Sequence, residues 1–202
     1  MSRDETGETG PAGTPATRSG SHGRTVVEYA VLALVAVAVA LLIQAFLVKP
    51  YRIPSESMEN TLLIGDRVLV DRISWRFSEP RRGDIVVFHP PFAGPVLIKR
   101  LVGLPGETLS VKNGALYVDG RRLDEPYVRR VDGEPVATQP FANGMPWALA
   151  QAYTVPEGNY FVMGDNRIDS GDSREFGPVS RGQFVGHGFA RYWPPARIGG
   201  VE

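Results

Sequence analysis

The 202-residue chain has no cysteine, and its 22 lysines and arginines are balanced by 22 aspartates and glutamates. The absence of cysteine excludes disulfides, zinc fingers, iron–sulfur clusters and thiol catalysis, although it leaves the cellular compartment open. The absence of net charge argues against nucleic acid as a main partner, because phosphate binding requires a basic face. Glycine and proline, by contrast, are abundant at 23 and 17 residues, which disfavours a helical bundle and favours short strands joined by turns.

The apolar residues near the N-terminus are gathered into one segment. Residues 1–25 contain 15 Ser, Thr, Gly and Pro residues, and this composition predicts a disordered tail. Residues 29–48 contain Gln44 as their only strongly polar residue, and a helix of that length spans roughly 30 Å, the thickness of the hydrocarbon core of a bilayer. We therefore predict a transmembrane anchor helix over residues 26–48. The alternative is a buried core helix, but no other long helix is evident to surround it.

Two features bear on how this predicted anchor lies in a membrane. A cleaved signal peptide has an apolar stretch of about 7–15 residues followed by a small-residue site. Here the Ala-Val-Ala sequence at 36–38 lies inside the apolar run, so we expect the segment to be retained. The positive-inside rule leaves its direction nearly tied, because basic residues flank both ends: Arg18, Arg24, Lys49 and Arg52.

Beyond residue 48 the chain has the pattern of a β protein. Short β-rich runs lie between recurring prolines and glycines, at 67–73, 84–89, 96–102, 108–118, 159–163 and 183–192. Asn113-Gly114, which lies between apolar residues, predicts a type I′ hairpin. We therefore predict a mainly β fold, in which a coiled antiparallel sheet domain over residues 49–202 follows the single helix. Residues 132–150 lack a clear period and are predicted to form a long surface loop.

Two serines lie a few residues after the predicted membrane segment, in the sequence Ile-Pro-Ser-Glu-Ser-Met at 53–58. Pro54 favours an extended backbone around it, and in an extended chain Ser55 and Ser57 point to the same side. One hydroxyl could then attack a carbonyl while the other donates to the oxyanion. The alternative is that one of them caps a short helix running through Thr61.

A serine nucleophile needs a base, and the three histidines lack the context of a catalytic triad. His22 lies in the predicted tail, His89 precedes two prolines, and His187 lies between two glycines. Lys99 is the better candidate, because on a strand it shares a face with two leucines, and desolvation there lowers the pKa of its amine. The alternative is a snorkelling lysine on a half-buried strand.

A third polar cluster occupies residues 164–174, where carboxylates alternate with glycine, serine and arginine. Such a run could form a calcium loop, but it lacks the glutamate that closes an EF-hand loop. We therefore favour a structural turn held by Asp–Arg pairs.

Together and in this order, these clusters resemble the motifs of bacterial type I signal peptidases. Those proteins are membrane-anchored serine endopeptidases of peptidase family S26, which remove signal peptides from exported preproteins. Their nucleophile motif resembles residues 54–62, and a second motif resembles 65–68. Their lysine motif resembles 82–86 followed by 99–107, and their last motif resembles 164–174. The resemblance covers most of the chain from the predicted anchor onward.

The resemblance implies a Ser/Lys dyad, with Ser57 as the nucleophile and Lys99 as the general base. It implies that Ser55 donates its hydroxyl to the oxyanion, together with the Ser57 N–H, and that Ser170 orients the lysine amine. A supporting polar shell is implied at Arg100, Asp165, Asp172 and Arg174. Pockets for the small side chains that precede the cleavage point are implied at Ile53, Pro54 and Ile98. The resemblance implies neither a metal nor another cofactor.

The resemblance also implies where the protein works and on what. The catalytic domain faces the outside of the bacterial cell membrane and the tail lies in the cytoplasm, which resolves the near tie in orientation. The implied partners are the lipid bilayer, the signal peptides of secreted preproteins, which are cut at sites of the Ala-x-Ala type, and the neighbouring export machinery. The alternative function is a non-catalytic membrane-anchored module on the same scaffold, acting in surface-protein or pilus assembly. Asn60 stands where the family usually has proline, and we expect it to loosen the turn after the nucleophile.

Overall fold

A computed structural model of the chain describes residues 21–73 and 77–201, and within these it gives no side-chain placement for 21–24 and 42–46. Most of the predicted tail, residues 1–20, lies outside the described residues. The chain divides into two compact units, one ending at Leu41 and one beginning at Leu42, and each is described by itself.

The first unit contains most of helix α1 (Ser21–Phe46), which begins inside the segment predicted to be a tail. Every described side chain from Thr25 to Leu41 is exposed, and these side chains are predominantly apolar. Within the described part of the chain, no helix combines the length and apolar character that crossing a membrane requires. The anchor over residues 26–48 stays a prediction.

The second unit is built from short strands and a few single-turn helices. The strands are β1 (Val48–Arg52), β2 (Arg67–Asp71), β3 (Ile85–Phe88), β4 (Leu97–Gly103), β5 (Thr108–Lys112), β6 (Ala115–Val118), β7 (Arg121–Arg122), β8 (Arg130–Val131), β9 (Glu134–Pro135), β10 (Tyr153–Thr154), β11 (Asn159–Met163), β12 (Val179–Ser180), β13 (Phe184–Trp193) and β14 (Gly199–Gly200). The helices are α2 (Ser173–Phe176) and three 3-10 turns at Pro146–Ala148, Arg181–Gln183 and Pro195–Arg197.

The described strands form a large antiparallel sheet with the order β1-β2-β13-β3-β4-β11-β12, in which β14 pairs with β13. A smaller sheet has the order β10-β5-β6-β7, and β8 and β9 form a separate hairpin. The register shifts within β13 and between β11 and β4, and such bulges increase the local twist and bend a sheet. The prediction of a mainly β fold with a coiled antiparallel sheet is confirmed.

The β-rich runs of the sequence correspond to strands, with ends that differ by one or two residues. The predicted run at 108–118 contains β5 and β6, joined at Asn113-Gly114. Both turn residues have positive φ, 50° and 76°, as a type I′ turn requires, so the hairpin prediction is confirmed.

The segment 132–150 differs from the predicted surface loop. It begins at the turn of the β8–β9 hairpin, its last residues follow a 3-10 turn, and Ala148 and Leu149 are buried. Leu149 belongs to a core cluster with residues of the small sheet and of β11, and Trp147 packs against that cluster. The surface-loop prediction was therefore wrong at the C-terminal end of the segment, because two apolar side chains there complete the core.

Candidate active site

The turn that follows β1 is fixed to the sheet on both sides of Ser57. Before it, the Ile53 N–H donates to the Asp66 carbonyl and the Ile53 carbonyl accepts from the Gly65 N–H, each at 2.9 Å. After it, Met58 and Leu62 are buried in a core cluster that also contains Ile53. Full burial of such side chains contributes roughly 1.5–3 kcal/mol each. Ser57 itself is half-buried at the surface of this anchored turn.

The hydroxyls of Ser55 and Ser57 converge, with 3.4 Å between the two Oγ atoms. The prediction that both side chains point to one side is therefore confirmed. The alternative of a capped helix was wrong, because residues 57–61 form turns instead. The Glu59 N–H donates to the Glu56 carbonyl at 2.8 Å, and the Leu62 N–H donates to the Met58 carbonyl at 2.8 Å.

Lys99 lies on β4, where its register partner on β3 is Val86. The residue is only 3% exposed. Burial lowers the pKa of its amine from 10.5 to about 8, against the opposing effect of the Asp172 and Asp165 carboxylates. The prediction of a desolvated lysine is confirmed by this burial, and the snorkelling alternative was wrong.

The neighbours of Lys99 on β4 connect it to the turn that carries Ser57. Ile98 packs against the cluster that contains Ile53 and Met58. On the other side, an Nη atom of Arg100 donates to Thr61 Oγ1 at 3.2 Å. The lysine therefore lies on a strand whose flanking side chains contact the turn both before and after Ser57. Among the described residues, no hydrogen bond joins the Lys99 amine to Ser57.

Two aspartates of the polar segment 164–174 form ion pairs with almost fully buried arginines. Asp165 accepts from Arg100 Nε and Nη at 2.9 and 2.8 Å. Asp172 accepts from Arg174 Nε and Nη at 2.9 and 2.8 Å. All four side chains are almost fully buried, and removing one partner of such a pair typically costs about 3–5 kcal/mol. The interpretation of this segment as a turn held by Asp–Arg pairs is confirmed.

The same segment brings Ser170 close to the nucleophile turn. A Cβ built on Gly164 would lie 2.3 Å from Ser170 Oγ and 2.3 Å from the Ser57 carbonyl oxygen. Ser170 and Ser57 therefore both lie against Gly164, with no room there for a side chain. Asn166 then donates its N–H to the Ser57 carbonyl at 3.1 Å. Ser170 is 7% exposed, and its Oγ is buried without a hydrogen-bond partner among the described residues. This hydroxyl is available to an incoming group or a moving amine.

The three residues predicted to line a substrate pocket differ in how far they are buried. Ile53 and Ile98 pack in the same apolar cluster, and Ile53 is 3% exposed. Pro54 is exposed, and Ile98 is half-buried. Ile53 and Ile98 therefore lie in the apolar cluster that also contains Met58, the residue after Ser57.

Several polar residues of the site were missed by sequence reasoning. Thr61 Oγ1 donates to Asp165 Oδ2 at 2.6 Å, and Asn166 donates its side-chain amide to the Glu56 carbonyl at 3.3 Å. Arg167 Nε donates to the Gly164 carbonyl at 2.9 Å. All three lie inside the motifs at 54–62 and 164–174, so their position was a signal that could have identified them.

Asn60 does not loosen the turn as expected. Its φ is +93°, and its side-chain amide donates to the Tyr127 carbonyl at 3.1 Å. The proline that the resemblance would place here has φ fixed near −65°, so it requires a different backbone at this position. The asparagine is therefore part of a turn that is held by a tertiary hydrogen bond.

We predict that Asn60→Pro destabilises the protein by more than about 1 kcal/mol, because proline cannot adopt the positive φ of this residue. Asn60→Gly is the matched control, since glycine accepts the same φ, and it should cost much less. Urea unfolding of the three proteins provides the measurement. A proline variant as stable as the wild type would contradict the assigned backbone.

Comparisons with known proteins identify the relatives of this chain. The chain matches the family described as "Signal peptidase, peptidase S26" over residues 26–193. It is 40% identical over 176 residues to "Probable signal peptidase I-1" of Synechocystis sp., covering 83% of each chain. It is 34% identical over 175 residues to "Signal peptidase IB" of Staphylococcus aureus, covering 85% of this chain and 91% of the relative. A crystal structure of a signal peptidase I from Enterococcus faecalis is 41% identical and covers 55% of this chain and 97% of its own, with a TM-score of 0.47. The chain therefore belongs to the signal peptidase family, peptidase S26.

Proposed function

We propose that this protein is a serine endopeptidase that removes N-terminal signal peptides from exported preproteins, with Ser57 as the nucleophile and Lys99 as the general base. The observation that carries the proposal is the buried amine of Lys99, whose pKa is lowered to about 8, on a strand that contacts both ends of the Ser57 turn. A solvated lysine is almost entirely protonated near neutral pH and cannot accept a proton. Burial leaves an appreciable fraction of the amine neutral.

The proposed reaction is acyl transfer in two steps. Neutral Lys99 removes the proton from Ser57 Oγ, which attacks the carbonyl of the residue before the cleavage point. The Ser55 hydroxyl and the Ser57 N–H donate to the oxyanion. One such donor typically stabilises the transition state by roughly 2.7–4 kcal/mol. The lysine ammonium then gives its proton to the leaving amine. In the second step Lys99 deprotonates water, which hydrolyses the acyl-serine and regenerates the hydroxyl.

The hydrogen bonds of this reaction form as substrate covers the site. Catalytic hydrogen bonds are often long in a free enzyme and shorten in the substrate complex. In the proposal, Ser170 Oγ accepts from the Lys99 ammonium or donates to its neutral amine, and thereby directs the amine toward Ser57. The buried hydroxyl without a partner supports this role.

Cleavage after small residues, at sites of the Ala-x-Ala type, follows in the proposal from the apolar surface beside Ser57. Ile53 and Ile98 are held in one packed cluster, and Pro54 keeps the adjoining backbone extended. Branched side chains that cannot move aside leave room for alanine but not for a large side chain. The signal peptide would therefore be the acyl part of the substrate.

In the same proposal residues 26–48 anchor the protein in the bacterial cell membrane, with residues 1–25 in the cytoplasm and 49–202 outside. The composition of the segment and the exposure of apolar side chains along α1 support this placement. A membrane-bound enzyme meets the apolar part of a signal peptide at a raised effective concentration, and it lies near the export machinery that delivers preproteins.

The test is cleavage of a purified preprotein by the full-length protein in detergent micelles. We expect one cut directly after an Ala-x-Ala signal, identified from the mass of the new N-terminus. A matched substrate with tryptophan in place of the alanine before the cut should remain intact. A folded protein that cuts neither substrate would contradict the proposal and favour the non-catalytic module.

The pH dependence of cleavage follows from the pKa of Lys99. The active form is the neutral amine, so kcat/KM should fall as the pH is lowered through about 8 and should be highest in the alkaline range. A histidine base would place this limb near 6.5. Replacement of His187 by asparagine provides the control and should leave the limb in place. An acid limb near 6.5 that disappears in that variant would assign the base to histidine.

A further inference from the structure

Residues 125–129, here called the strap, contact three separate segments of the candidate site. The Arg129 N–H donates to the Asp165 carbonyl at 2.9 Å, and Arg129 Nε pairs with Glu59 at 2.9 Å. Glu125 accepts from Arg167 Nη1 at 3.2 Å. The strap therefore joins the segment 164–174 to the turn that carries Ser57. It lies outside the four segments that resemble the motifs of signal peptidases.

Tyr127 is the residue of the strap that contacts β4. The guanidinium carbon of Arg100 lies 4.0 Å from the centroid of the Tyr127 ring, which is close for a cation–π contact. The edge of the same guanidinium is occupied by Asp165, the Gly83 carbonyl and Thr61. The aromatic ring covers the face of a group whose edge is already bonded, so it keeps water away from the Arg100–Asp165 pair.

The orientation of the Tyr127 ring is fixed from its other end. Its hydroxyl donates to Glu125 Oε1 at 3.1 Å. Burial and the neighbouring Glu125 carboxylate raise the pKa of Tyr127, so the hydroxyl remains a donor throughout the working range. The ring edge thus has one fixed partner, while the ring face lies against Arg100.

The backbone of the same residue contacts the nucleophile turn. The Tyr127 carbonyl accepts from the Asn60 side-chain amide, and the φ of Asn60 at +93° depends on a stabilising tertiary contact because this region is unfavourable for residues other than glycine. One residue therefore bonds the turn three positions after Ser57 and covers the guanidinium one position after Lys99.

We propose that Tyr127 is a positioning residue for the reaction, which sets the separation of Ser57 and Lys99 by clamping Asn60 and Arg100 together. This inference rests on the proposed function. The contacts of Tyr127 are to Arg100, Glu125 and Asn60 rather than to Ser57 or Lys99, so its loss should affect the chemical step more than substrate binding. A displacement of about 1 Å in a catalytic group can lower the rate about 100-fold.

The test compares Tyr127→Leu with Tyr127→Phe in the full-length protein, using preprotein cleavage. Leucine fills part of the space but has no aromatic face, whereas phenylalanine keeps the face and loses only the hydroxyl. We expect kcat of Tyr127→Leu to fall by about 10- to 100-fold with KM close to that of the wild type. Tyr127→Phe should keep most of the wild-type kcat. Tyr117→Leu is the matched control, since Tyr117 also lies beneath a cation, Lys112, at 5.5 Å, but in the small sheet.

The outcomes together distinguish failure of this inference from failure of the proposed function. A wild type that does not cleave would refute both. If the wild type cleaves and Tyr127→Leu has the same kcat, only the role of the ring is overturned. The same holds if Tyr127→Phe is as impaired as Tyr127→Leu. If Tyr127→Leu fails to fold, Asn60→Gly removes the bond to the Tyr127 carbonyl without backbone strain. It should lower kcat at unchanged KM, and an unaltered kcat would overturn the clamp.

Discussion

Ser57→Ala and Lys99→Met are each expected to abolish signal-peptide cleavage while the protein remains folded. The expected loss is on the order of 10⁶-fold in kcat, the scale for removing one member of a nucleophile–base unit. Alanine removes the attacking oxygen, and methionine keeps the volume of the lysine side chain without a nitrogen that can accept a proton. The two groups act together, so the double variant should be hardly worse than either single variant. Losses that add in a kinetic comparison would contradict the dyad.

The stability of Lys99→Met distinguishes lost chemistry from lost folding. Because the pKa of Lys99 is about 8 when folded and 10.5 ordinarily, burying the protonated amine costs the wild type about 3 kcal/mol at pH 7. The unfolded chain binds more protons between these two values, so wild-type stability should rise as the pH increases from about 8. Lys99→Met should therefore be the more stable protein at pH 7, and its advantage should shrink in alkaline solution. A variant less stable than the wild type at pH 7 would contradict the assigned burial cost.

Gly164→Ala is expected to lower kcat by about 100-fold or more, the cost of a catalytic group displaced by about 1 Å. The added Cβ would lie 2.3 Å from the Ser57 carbonyl oxygen and 2.3 Å from Ser170 Oγ. A backbone oxygen cannot rotate away, so the turn that carries the nucleophile has to move from the segment that carries Ser170. Overpacking of this kind also costs typically 1–3 kcal/mol of stability.

Gly182→Ala is the matched control for this substitution. Gly182 has no atom within 4 Å of an added Cβ and no positive φ, so alanine there should leave kcat and stability close to those of the wild type. Kinetics and urea unfolding of both variants provide the measurement. If Gly164→Ala cleaves as fast as Gly182→Ala, the close approach of the two segments is not needed for the reaction.

The parts of the molecule that could be predicted from sequence are those with a local signal. The β-rich runs correspond to strands because their signal is local. Short apolar stretches are bounded by turn residues only a few positions away. Asn113-Gly114 specifies its hairpin because few other residue pairs tolerate two positive φ values. Lys99 was a candidate because on a strand it shares a face with two leucines, which favours burial of the amine. In each case the physical cause lies in the segment itself.

The parts that could not be predicted depend on contacts between distant segments. Tyr127 lies 27 residues after Arg100 and belongs to no periodic run, so only the folded chain shows that its ring covers the guanidinium. Leu149 looked like part of a surface loop because the core that it completes is formed by other strands. The effect of Asn60 was predicted wrongly because its side chain bonds the backbone carbonyl of Tyr127. Every residue has such a carbonyl, so the sequence does not indicate which one the asparagine contacts.

The central claim is that burial makes Lys99 a usable base, and direct titration of its amine tests this claim most closely. In protein labelled with ¹⁵N at the lysine side chains, the Lys99 resonance is assigned by its absence from the Lys99→Met spectrum. The structure predicts a titration midpoint near 8 for this amine. A midpoint at the ordinary value of 10.5 would contradict the account, because Lys99 would then be a protonated cation at the pH of the reaction.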